Sequence, residues 1–533
     1  MISLYWMVLI PIVAGTLGML TSLRVARVLT LLMNGAMMAA SWALFVQVKS
    51  GGMVIQRIGG WTDFVGISLR ADLLGAVMVM LTTLLFFFMA LFNLRKSYVN
   101  NLFVFLFAVL EGLMIGIFLS NDLFNIFVLV EVCTVIISVM IMFKKDTQSI
   151  YDGMLYFFIN IVAMTFFLFG IGMLYKTVGI IDLHGVRMVL ETMDSPRPVI
   201  LPYAFMITAV SLKAALMPLF SWLPKAHGTP NAPSIVSAIL SGLYVKSGVY
   251  LFLRLQTAFS PVIDTSELFL VLGFITAVIG FSLALAQKDL KLILAYHTVS
   301  QIGLIMMGIN MGTDQNYIGG IYHIVNHAFF KSTLFLTAGM IIDEYGTRNV
   351  YALQGVFRRM PLVSMATIFA IFGITGAPFF NGSISKYWIA YGAADTWVAY
   401  GLILVNLGTI LSFVKYSRIF FGPAHSGKAR CDHLREGVVL TMGTLCLLGG
   451  LFGGFLMEFL FGAQLPLDLR SYSLKMISFW ISLAGGVLLY HGWLKRTDLL
   501  TRAKQFELSF NGVSLAITLF FTVMLAYLWV FVA

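Results

Sequence analysis

The stretch LFVFLFAVLEGLMIGIFL, from Leu102 to Leu119, indicates the fold class of this chain. Its eighteen residues include a single charged side chain, Glu111. A helix needs roughly 17–25 predominantly apolar residues to cross the hydrocarbon core of a bilayer. The stretch therefore predicts a transmembrane helix that carries one carboxyl group inside the membrane.

The rest of the 533-residue chain has the same character, with 60% hydrophobic and 11% charged residues, whereas soluble domains have about 25% charged residues. Sixteen apolar runs are long enough to span a bilayer. They begin near Leu4, Val28, Asp72, Leu102, Asp122, Gly153, Pro202, Ser234, Leu268, Leu290, Tyr317, Leu362, Val398, Val438, Met476 and Val513. These runs predict an all-α, polytopic membrane protein with about 14–16 transmembrane helices and no soluble domain. One of the last two runs could instead lie along the membrane surface.

The distribution of Lys and Arg predicts the orientation in the membrane. Loops after odd-numbered runs carry 21 of the 34 Lys and Arg residues, and loops after even-numbered runs carry 9. Basic loops tend to stay in the cytoplasm, so we expect both termini to lie on the other side of a cell membrane. This bias accounts for the net charge of +11 without a nucleic-acid partner. No basic segment precedes the run at Leu4, which favours a first span over a signal peptide.

The sequence contains no motif for a bound metal or cofactor. Cys133, Cys431 and Cys446 share no metal-ligand spacing and cannot form a disulfide framework. A glycine-rich nucleotide loop and a haem-attachment motif are also absent from the sequence. We therefore expect no cofactor and no catalytic chemistry in this chain, although it could belong to a redox-driven proton pump.

Four lysines lie well inside apolar runs: Lys213, Lys246, Lys331 and Lys386. A charge at mid-membrane costs roughly 2.5–3.5 kcal/mol on insertion scales, so each lysine needs a function or a partner. Glu131, in the middle of the fifth run, is the natural counter-ion. Burial and a nearby carboxylate act on a lysine in opposite directions, so together they allow proton exchange near neutral pH. The alternative is a static ion pair that holds helices together, but four lysines spread over four runs favour proton transfer.

The eleventh run carries His323, His327 and Lys331 at intervals of four residues, so they share one helix face. At 1.5 Å per residue the three side chains form a row about 12 Å long. Histidine titrates closest to physiological pH, which favours a relay of protons. The alternative is that each histidine hydrogen-bonds a buried carbonyl. His297 in the tenth run is a further candidate, and no metal site is expected because no acidic or cysteine ligand is suitably spaced.

Two runs contain a helix-breaking proline close to a lysine. Pro218 follows Lys213, and Pro378 lies in the segment Gly376–Gly382, which precedes Lys386. A proline removes a helical hydrogen bond, and the freed carbonyls must face a hydrated or protein-packed interior. The order of lysine and break is reversed between the two runs, which lie five runs apart. This pattern is typical of inverted repeats with discontinuous helices.

Two acidic residues are accessory candidates. Glu111 could be a second proton site or could lie at the membrane interface. Asp122 stands at the start of the fifth run, where a carboxylate favours a helix N-terminus.

Four stretches carry a resemblance to a known family: NDLFNIFVLVE (121–131), SLKAALMPLFSWLPKAH (211–227), HIVNHAFFK (323–331) and the segment from Gly376 to Lys386. The chain resembles the antiporter-like subunits shared by Mrp-type multisubunit Na+/H+ antiporters, respiratory complex I and membrane-bound hydrogenases. The resemblance covers roughly Gly59 to Pro423. The DLFN form at 122–125 is most similar to the D-type component of Mrp antiporters, whereas EGLM at 111–114 is similar to the M-type component of complex I.

The resemblance implies a core of fourteen helices with two inverted five-helix repeats, in which helices 7 and 12 are discontinuous. The corresponding division is 1–100 for helices 1–3, 101–260 and 261–423 for the two repeats, and 424–533 for helices 14–16. The resemblance assigns proton translocation to Glu131, Lys213, Lys246, His323, His327, Lys331 and Lys386. It adds Lys225 and His227, which lie in a matching stretch, to the accessory candidates.

The function that this resemblance implies is proton translocation in a multisubunit cation/H+ antiporter, with other membrane subunits as partners and possible Na+ transport. The alternative is a proton-pumping subunit in the membrane arm of a complex I-like oxidoreductase or a hydrogenase. A membrane scaffold without transport is a third class, and the complete set of Glu131, Lys213, Lys246 and Lys386 argues against it.

Overall fold

The computed structural model of the chain describes residues 3–61, 66–393, 396–423, 432–464, 468–492, 494 and 508–532. Nearly all of its regular structure is helical. The first part comprises α1 (Leu4–Met19), α2 (Leu23–Gly51), β1 (Val54–Arg57), β2 (Ser68–Ala71), α3 (Leu73–Asn93), α4 (Asn101–Leu119), α5 (Leu123–Ile141), α6 (Thr147–Val178), α7 (Leu183–Leu190), α8 (Arg197–Lys213), a 3₁₀ turn (Leu219–Ser221), α9 (Trp222–Gly228), α10 (Ser234–Ile239), a π turn (Leu240–Tyr244) and α11 (Val245–Phe259).

The second part continues with α12 (Ser266–Ala286), α13 (Leu290–Ile309), α14 (Asp314–Tyr345), α15 (Val356–Arg359), α16 (Pro361–Thr375), α17 (Asn381–Ile389), α18 (Trp397–Ser417), a 3₁₀ turn (Arg418–Phe420), α19 (His433–Leu451), α20 (Gly453–Phe461), α21 (Leu469–Gly492) and α22 (Phe510–Phe531). The two strands form one antiparallel hairpin, in which Val54 pairs with Ala71.

The predicted all-α, polytopic architecture is confirmed. Twelve of the described helices are long and apolar enough to cross a membrane. The other four predicted spans correspond to α1, α8, α14 and the α16–α17 pair, which are short, interrupted or rich in polar residues. α4 contains the stretch from Leu102 to Leu119, and 89% of the residues in its most apolar 18-residue stretch are buried inside the protein. Cys133 and Cys446 are buried thiols, and Cys431 lies outside the described residues.

Aspartate and asparagine caps fix where several helices begin. The side chains of Asp72, Asn100, Asp122 and Asp289 each accept a hydrogen bond from a backbone N–H in the first turn of the following helix. Such caps satisfy the N–H groups that have no partner within the helix. Asp122 therefore has the helix-capping role that its position in the sequence predicts.

Loops after even-numbered spans meet on one side of the molecule, which we call the termini side. There, Arg254 at the end of α11 forms two hydrogen bonds of 2.5 and 2.6 Å with Asp72 at the start of α3. Asn121 donates to Asp182 over 2.6 Å. The backbone N–H of Leu4 donates to Gln56 of β1 over 2.5 Å, which places the first helix on this side as well.

Loops after odd-numbered spans meet on the opposite side. Lys96 contacts Asp343 at 2.6 Å, and Arg348 donates to Asp289 over 3.0 Å. Lys225 donates to the carbonyl of Leu508 over 2.7 Å, so α22 begins on this side and ends on the termini side. The start of α1 and the end of α22 therefore lie on the same side of the molecule. The cellular orientation of that side stays a prediction.

Three helices are interrupted near the middle of the molecule. α8 ends at Lys213, and its path resumes only in the 3₁₀ turn at Leu219. α16 ends at Thr375 and α17 starts at Asn381, so the break runs from Gly376 to Phe380. The predicted break to Gly382 was too long, because Asn381 and Gly382 already form the first turn of α17. The π turn at Leu240–Tyr244 is an interruption that the sequence does not predict.

The two helices beyond the core each pack beside one interrupted helix. α21 lies against α18, and its Tyr472 hydroxyl is 2.8 Å from Ser383 of α17. α22 lies against α8 and the following 3₁₀ turn, and its Phe521 contacts Phe205 with ring centroids 4.5 Å apart. α21 and α22 therefore cover the two breaks that contain a proline, in α16–α17 and after α8 respectively.

Candidate ion-translocation site

Lys213 is buried at the last residue of α8, directly before the break. Its ammonium group donates to the Thr134 hydroxyl of α5 over 2.8 Å and to the Tyr244 hydroxyl over 3.1 Å. Those two hydroxyls are 3.0 Å apart. The three side chains form a hydrogen-bonded triangle that joins α5, α8 and the π turn.

Glu131 does not form the predicted direct ion pair with Lys213 among the described residues. It lies on α5 three residues before Thr134, is partly exposed, and is close enough to Lys213 for their charges to interact. Its neighbours Val128 and Val132 are 41% and 40% exposed, so this face of α5 points outward. The ammonium group therefore contacts the hydroxyls of Thr134 and Tyr244 directly, while Glu131 acts on it through charge at longer range. The counter-ion role of Glu131 stays a prediction.

Lys246 is fully buried one helical turn beyond Ser241, and its ammonium group donates to the Ser241 carbonyl. A π turn widens the helix at this point, and such turns recur at functional sites. The Ser241 hydroxyl is 2.7 Å from the Thr298 hydroxyl of α13. Thr298 in turn donates to the Leu294 carbonyl, which also accepts a 2.6 Å hydrogen bond from Lys331. Lys246 and Lys331 are thus connected through two hydroxyls and two carbonyls.

The predicted row on α14 is present, and all three of its side chains are fully buried. The rings of His323 and His327 have their centroids 6.4 Å apart. His323 is 2.8 Å from the Ser385 hydroxyl of α17 and 3.0 Å from the Gln301 amide oxygen of α13. Both ring nitrogens of His327 are buried without a hydrogen-bond partner among the described residues.

Lys386 follows Ser385 and ends the row on α17. Its ammonium group donates to the Ile374 carbonyl over 2.7 Å and to the Asn406 side chain of α18 over 2.9 Å. Ile374 is in the last turn of α16, where carbonyls have no partner within the helix. The break in this helix therefore supplies the acceptor that holds the lysine.

The accessory histidines lie beside this row. His227 is stacked on Phe335 with ring centroids 4.6 Å apart, and its charge would interact with that of Lys331. His297 lies against Phe413 at 4.8 Å. Both imidazoles are fully buried, and none of their ring nitrogens has a hydrogen-bond partner among the described residues. Lys225, by contrast, lies on the side of the molecule opposite the termini side, where it donates to the Leu508 carbonyl just before α22.

Glu111 is fully buried among neighbouring helices, and its role as a second proton site stays a prediction. Neither of its carboxyl oxygens has a hydrogen-bond partner among the described residues. A buried polar group without a partner costs about 1–3 kcal/mol, so this carboxyl group is a candidate for bound water. Asp122 stays with its capping role, on the termini side.

Two further buried lysines were missed because their positions in the sequence fall in predicted loops. Lys291 is 3% exposed and donates to the Ala232 carbonyl over 2.8 Å. Lys415 is 1% exposed and donates to three carbonyls at the end of α12, those of Ala284, Leu285 and Gln287. Lys415 therefore caps a helix C-terminus, where a positive charge is favourable. The location of both lysines at the ends of apolar runs gave no sign of burial.

The arrangement as a whole is a row of amines, imidazoles and hydroxyls that crosses the middle of the molecule from Lys213 to Lys386. These are groups that accept and donate protons, and the row contains few of the carboxylate oxygens that metal cations prefer. No group of three His, Cys, Asp or Glu side chains suited to a metal ion occurs in the part of the chain that the structure describes.

Comparison with known proteins supports the resemblance. The sequence profile of the family described as NADH:quinone oxidoreductase/Mrp antiporter, TM, matches residues 120–412. Among curated proteins, relatives that carry the name antiporter subunit mnhD2 are similar to this chain. The protein from Staphylococcus aureus strain Mu3 is 32% identical over 387 residues, which are 72% of this chain and 77% of the relative. The protein from strain MRSA252 is 31% identical over 390 residues, which are 72% of this chain and 77% of the relative.

Solved structures share the fold over most of the chain. A chain of the Mrp complex from Dietzia sp. DQ12-45-1b has a TM-score of 0.80 and 25% identity, covering 89% of this chain and 99% of that chain. A chain of the archaeal membrane-bound sulfane sulfur reductase has a TM-score of 0.79, with 24% identity over 91% of this chain and 99% of that chain. A chain of respiratory complex I from Thermus thermophilus has a TM-score of 0.75, with 22% identity over 90% of this chain and all of that chain.

Proposed function

We propose a function on the premise that this chain belongs to the NADH:quinone oxidoreductase/Mrp antiporter family of membrane proteins. The chain is the proton-translocating, D-type component of a multisubunit cation/H+ antiporter in the cytoplasmic membrane. The observation that carries this proposal is the row of proton-exchanging side chains from Lys213 to Lys386, nearly all of them buried. An ion pair that only holds two helices together needs two charged side chains, whereas this row extends over six helices.

In this mechanism the proton is first held at Lys213, where Thr134 and Tyr244 orient the ammonium group. Attraction to Glu131 stabilises the charge at that position, and loss of the attraction releases the proton towards Lys246. Lys246 and Lys331 each donate to a backbone carbonyl, which has no proton to pass on, so water beside the Ser241 and Thr298 hydroxyls carries the proton on to Lys331. His327 and His323 then carry the proton to Ser385 and Lys386.

Water completes this path where the side chains are too far apart for direct transfer. The ring centroids of His323 and His327 are 6.4 Å apart, and both nitrogens of His327 have no partner in the described part of the chain. Buried polar groups are normally satisfied by protein or ordered water. The orphaned imidazole nitrogens therefore support a hydrated row rather than a dry one.

The fold neighbours are chains of multisubunit membrane complexes. We propose that this chain likewise works with other membrane subunits, which cover the outward face of α5 beside Glu131. Sodium is the proposed counter-transported cation, bound outside the row because the row is lined mainly by amines. Both termini face away from the cytoplasm.

Substitution of Glu131 and Lys213 tests the proton-carrying role. Glu131→Ala and Lys213→Ala should each abolish proton flux in everted vesicles while the protein still inserts, because each removes one of the two charges that control proton release. Glu191→Ala is a matched control, since Glu191 is paired with Arg187 at the surface. The double variant Glu131→Ala/Lys213→Ala should insert and stay inactive. Flux near the parental rate in the double variant would show that the pair only holds helices together.

A redox-driven pump is the second candidate function, and the fully buried Glu111 favours it, because the EGLM motif is similar to the M-type component of complex I. Purification of the native complex with identification of its subunits distinguishes the two. Small antiporter subunits support cation/H+ exchange, whereas hydrogenase or NADH-oxidising subunits support the redox-driven pump.

A further inference from the structure

A cavity of about 350 Å³ lies between α17, α18 and α21. Lys386 and Asn406 line its inner part, and Ala390, Ala399 and Tyr472 line the part near the termini-side ends of the three helices. Because Lys386 is the last member of the row of proton-exchanging side chains, the cavity starts where the row ends.

α21 contributes the wall that the fourteen-helix core would lack. Its Lys475 lines the cavity and donates to the Tyr387 carbonyl over 3.1 Å. Its Tyr472 hydroxyl is 2.8 Å from the Ser383 hydroxyl, and both residues also line the cavity. Ser478 and Ser482 of α21 also line the cavity, next to the apolar side chains of Met476 and Phe479.

The lining groups suit water and protons better than a metal cation. Two lysine amines face the space, and no Asp or Glu lines it in the described ranges. Asp468, at the start of α21, interacts electrostatically with the Tyr387 hydroxyl but does not line the cavity. Hard cations are held by several carboxylate or carbonyl oxygens, whereas a bound water needs two to four polar partners of either kind. The amines, hydroxyls and amide here meet the second requirement.

We propose that this cavity is a hydrated vestibule joining Lys386 to water on the termini side, and that Lys475 is a further proton-carrying residue in its wall. A proton leaves the Lys386 ammonium group, passes through water to the Lys475 amine and is released to bulk water. Lys475 then has its starting form again, and Lys386 regains its proton from the row. The reverse order serves uptake. The inference rests on the proposed function, because Lys386 must itself exchange protons.

Lys475→Arg separates a proton carrier from a fixed charge, because arginine keeps its charge and cannot deprotonate in a protein. Proton flux in vesicles of the native complex should fall about tenfold in both Lys475→Arg and Lys475→Gln. This is less than the roughly 100- to 10,000-fold that a positioned proton-transfer group contributes to a reaction rate. Lys49 is the matched control: it also donates to a carbonyl, that of Phe459, and also lies over an aromatic ring, but it does not line the cavity. Lys49→Arg and Lys49→Gln should leave flux unchanged. A parental rate in Lys475→Arg would overturn the carrier role.

Cysteine labelling tests the vestibule without relying on transport. Ser482 lies seven residues along α21 from Lys475, about 10 Å deeper at 1.5 Å per residue. In an active chain whose three native cysteines are replaced by alanine, Ser482→Cys should react with a membrane-impermeant thiol reagent added on the termini side. Ile481→Cys is at the same depth but faces lipid, since Ile481 is 67% exposed on the outer surface. It should stay unlabelled.

The two proposals can fail separately. If Lys386→Ala keeps parental flux, the proposed function is wrong, whatever the labelling shows. If Lys386→Ala is inactive but Ser482→Cys is unlabelled, the vestibule is wrong and the proposed function stands.

Discussion

At the scale of single residues, the lysines of the row are held by neutral carbonyl and hydroxyl oxygens rather than by carboxylates. Lys246 uses a carbonyl of the π turn, and Lys386 uses one at the end of α16. Lys213 instead uses the hydroxyls of Thr134 and Tyr244. Neutral oxygens satisfy the hydrogen bonds of an ammonium group without fixing its charge. A lysine held in this way can exchange a proton more readily than one locked to a carboxylate.

The Asp72–Arg254 ion pair on the termini side stabilises the fold, in contrast to the lysines of the row. Burial raises the pKa of Asp72, but the hydrogen bonds and charge of Arg254 outweigh it and hold the pKa below its usual range. The pair therefore contributes stability above the ordinary pKa of an aspartate, and this contribution is lost as the pH falls through the depressed value. Asp72→Asn should lower the free energy of unfolding by about 2 kcal/mol at pH 7. Breaking a fully buried ion pair costs roughly 3–5 kcal/mol, and the smaller value applies here because both side chains are partly exposed.

Thermal unfolding in detergent between pH 7 and pH 3 checks this prediction. The midpoint difference between the parent and Asp72→Asn should shrink as the solution is acidified, since the parental carboxylate then becomes neutral as well. Asp314→Asn is the control, because Asp314 has no ion pair in the described part of the chain. A constant difference across the pH range would contradict the assignment.

At the scale of elements, the interrupted helix α16–α17 depends on a close backbone approach. A Cβ added to Gly382 would lie 1.9 Å from the Gly373 carbonyl oxygen, which is far inside any allowed contact. Gly382→Ala should therefore displace α17, misplace Lys386 and lower proton flux. It should also lower the free energy of unfolding by about 1–3 kcal/mol. Gly485→Ala, where an added Cβ meets nothing within 4 Å, should be tolerated. Flux assays and unfolding curves of the two variants decide the matter, and normal behaviour of Gly382→Ala would contradict it.

The elements were largely predictable because hydrophobic length and proline are strong local signals. All sixteen predicted spans coincide with helices, and both predicted breaks are present. The π turn was not predictable, since Leu240–Tyr244 contains no proline, and its geometry depends on packing against α13 and α14. The partners of Lys213 were missed for a similar reason: they come from helices distant in sequence. The roles of the individual site residues stay predictions.

At the scale of the whole molecule, the alternation of loops between two sides provides a test of orientation. A reporter that is active only in the cytoplasm should be silent when fused to the C-terminus, because the chain ends on the termini side and the Lys and Arg bias places that side outside. The same reporter fused after Gly346, on the opposite side, should be active. A strong signal from the C-terminal fusion would mean that α21 or α22 does not cross the membrane, or that the orientation is reversed. The boundaries of the two repeats, at 101–260 and 261–423, stay predictions.

The position of α22 against α8 has a consequence for biosynthesis. Membrane helices leave the ribosome in chain order, so the broken helix around Pro218 enters the bilayer nearly three hundred residues before the helix that covers it. Until α22 is made, the break is covered by α6 and by α11 and α12, which follow it in the chain; Thr276 of α12 accepts a hydrogen bond from the Met217 N–H. The bond from the Trp222 indole to the Leu212 carbonyl lies within the break itself. α22 therefore completes the environment of an interruption made much earlier, and a chain released before α22 would insert with that interruption open on one side.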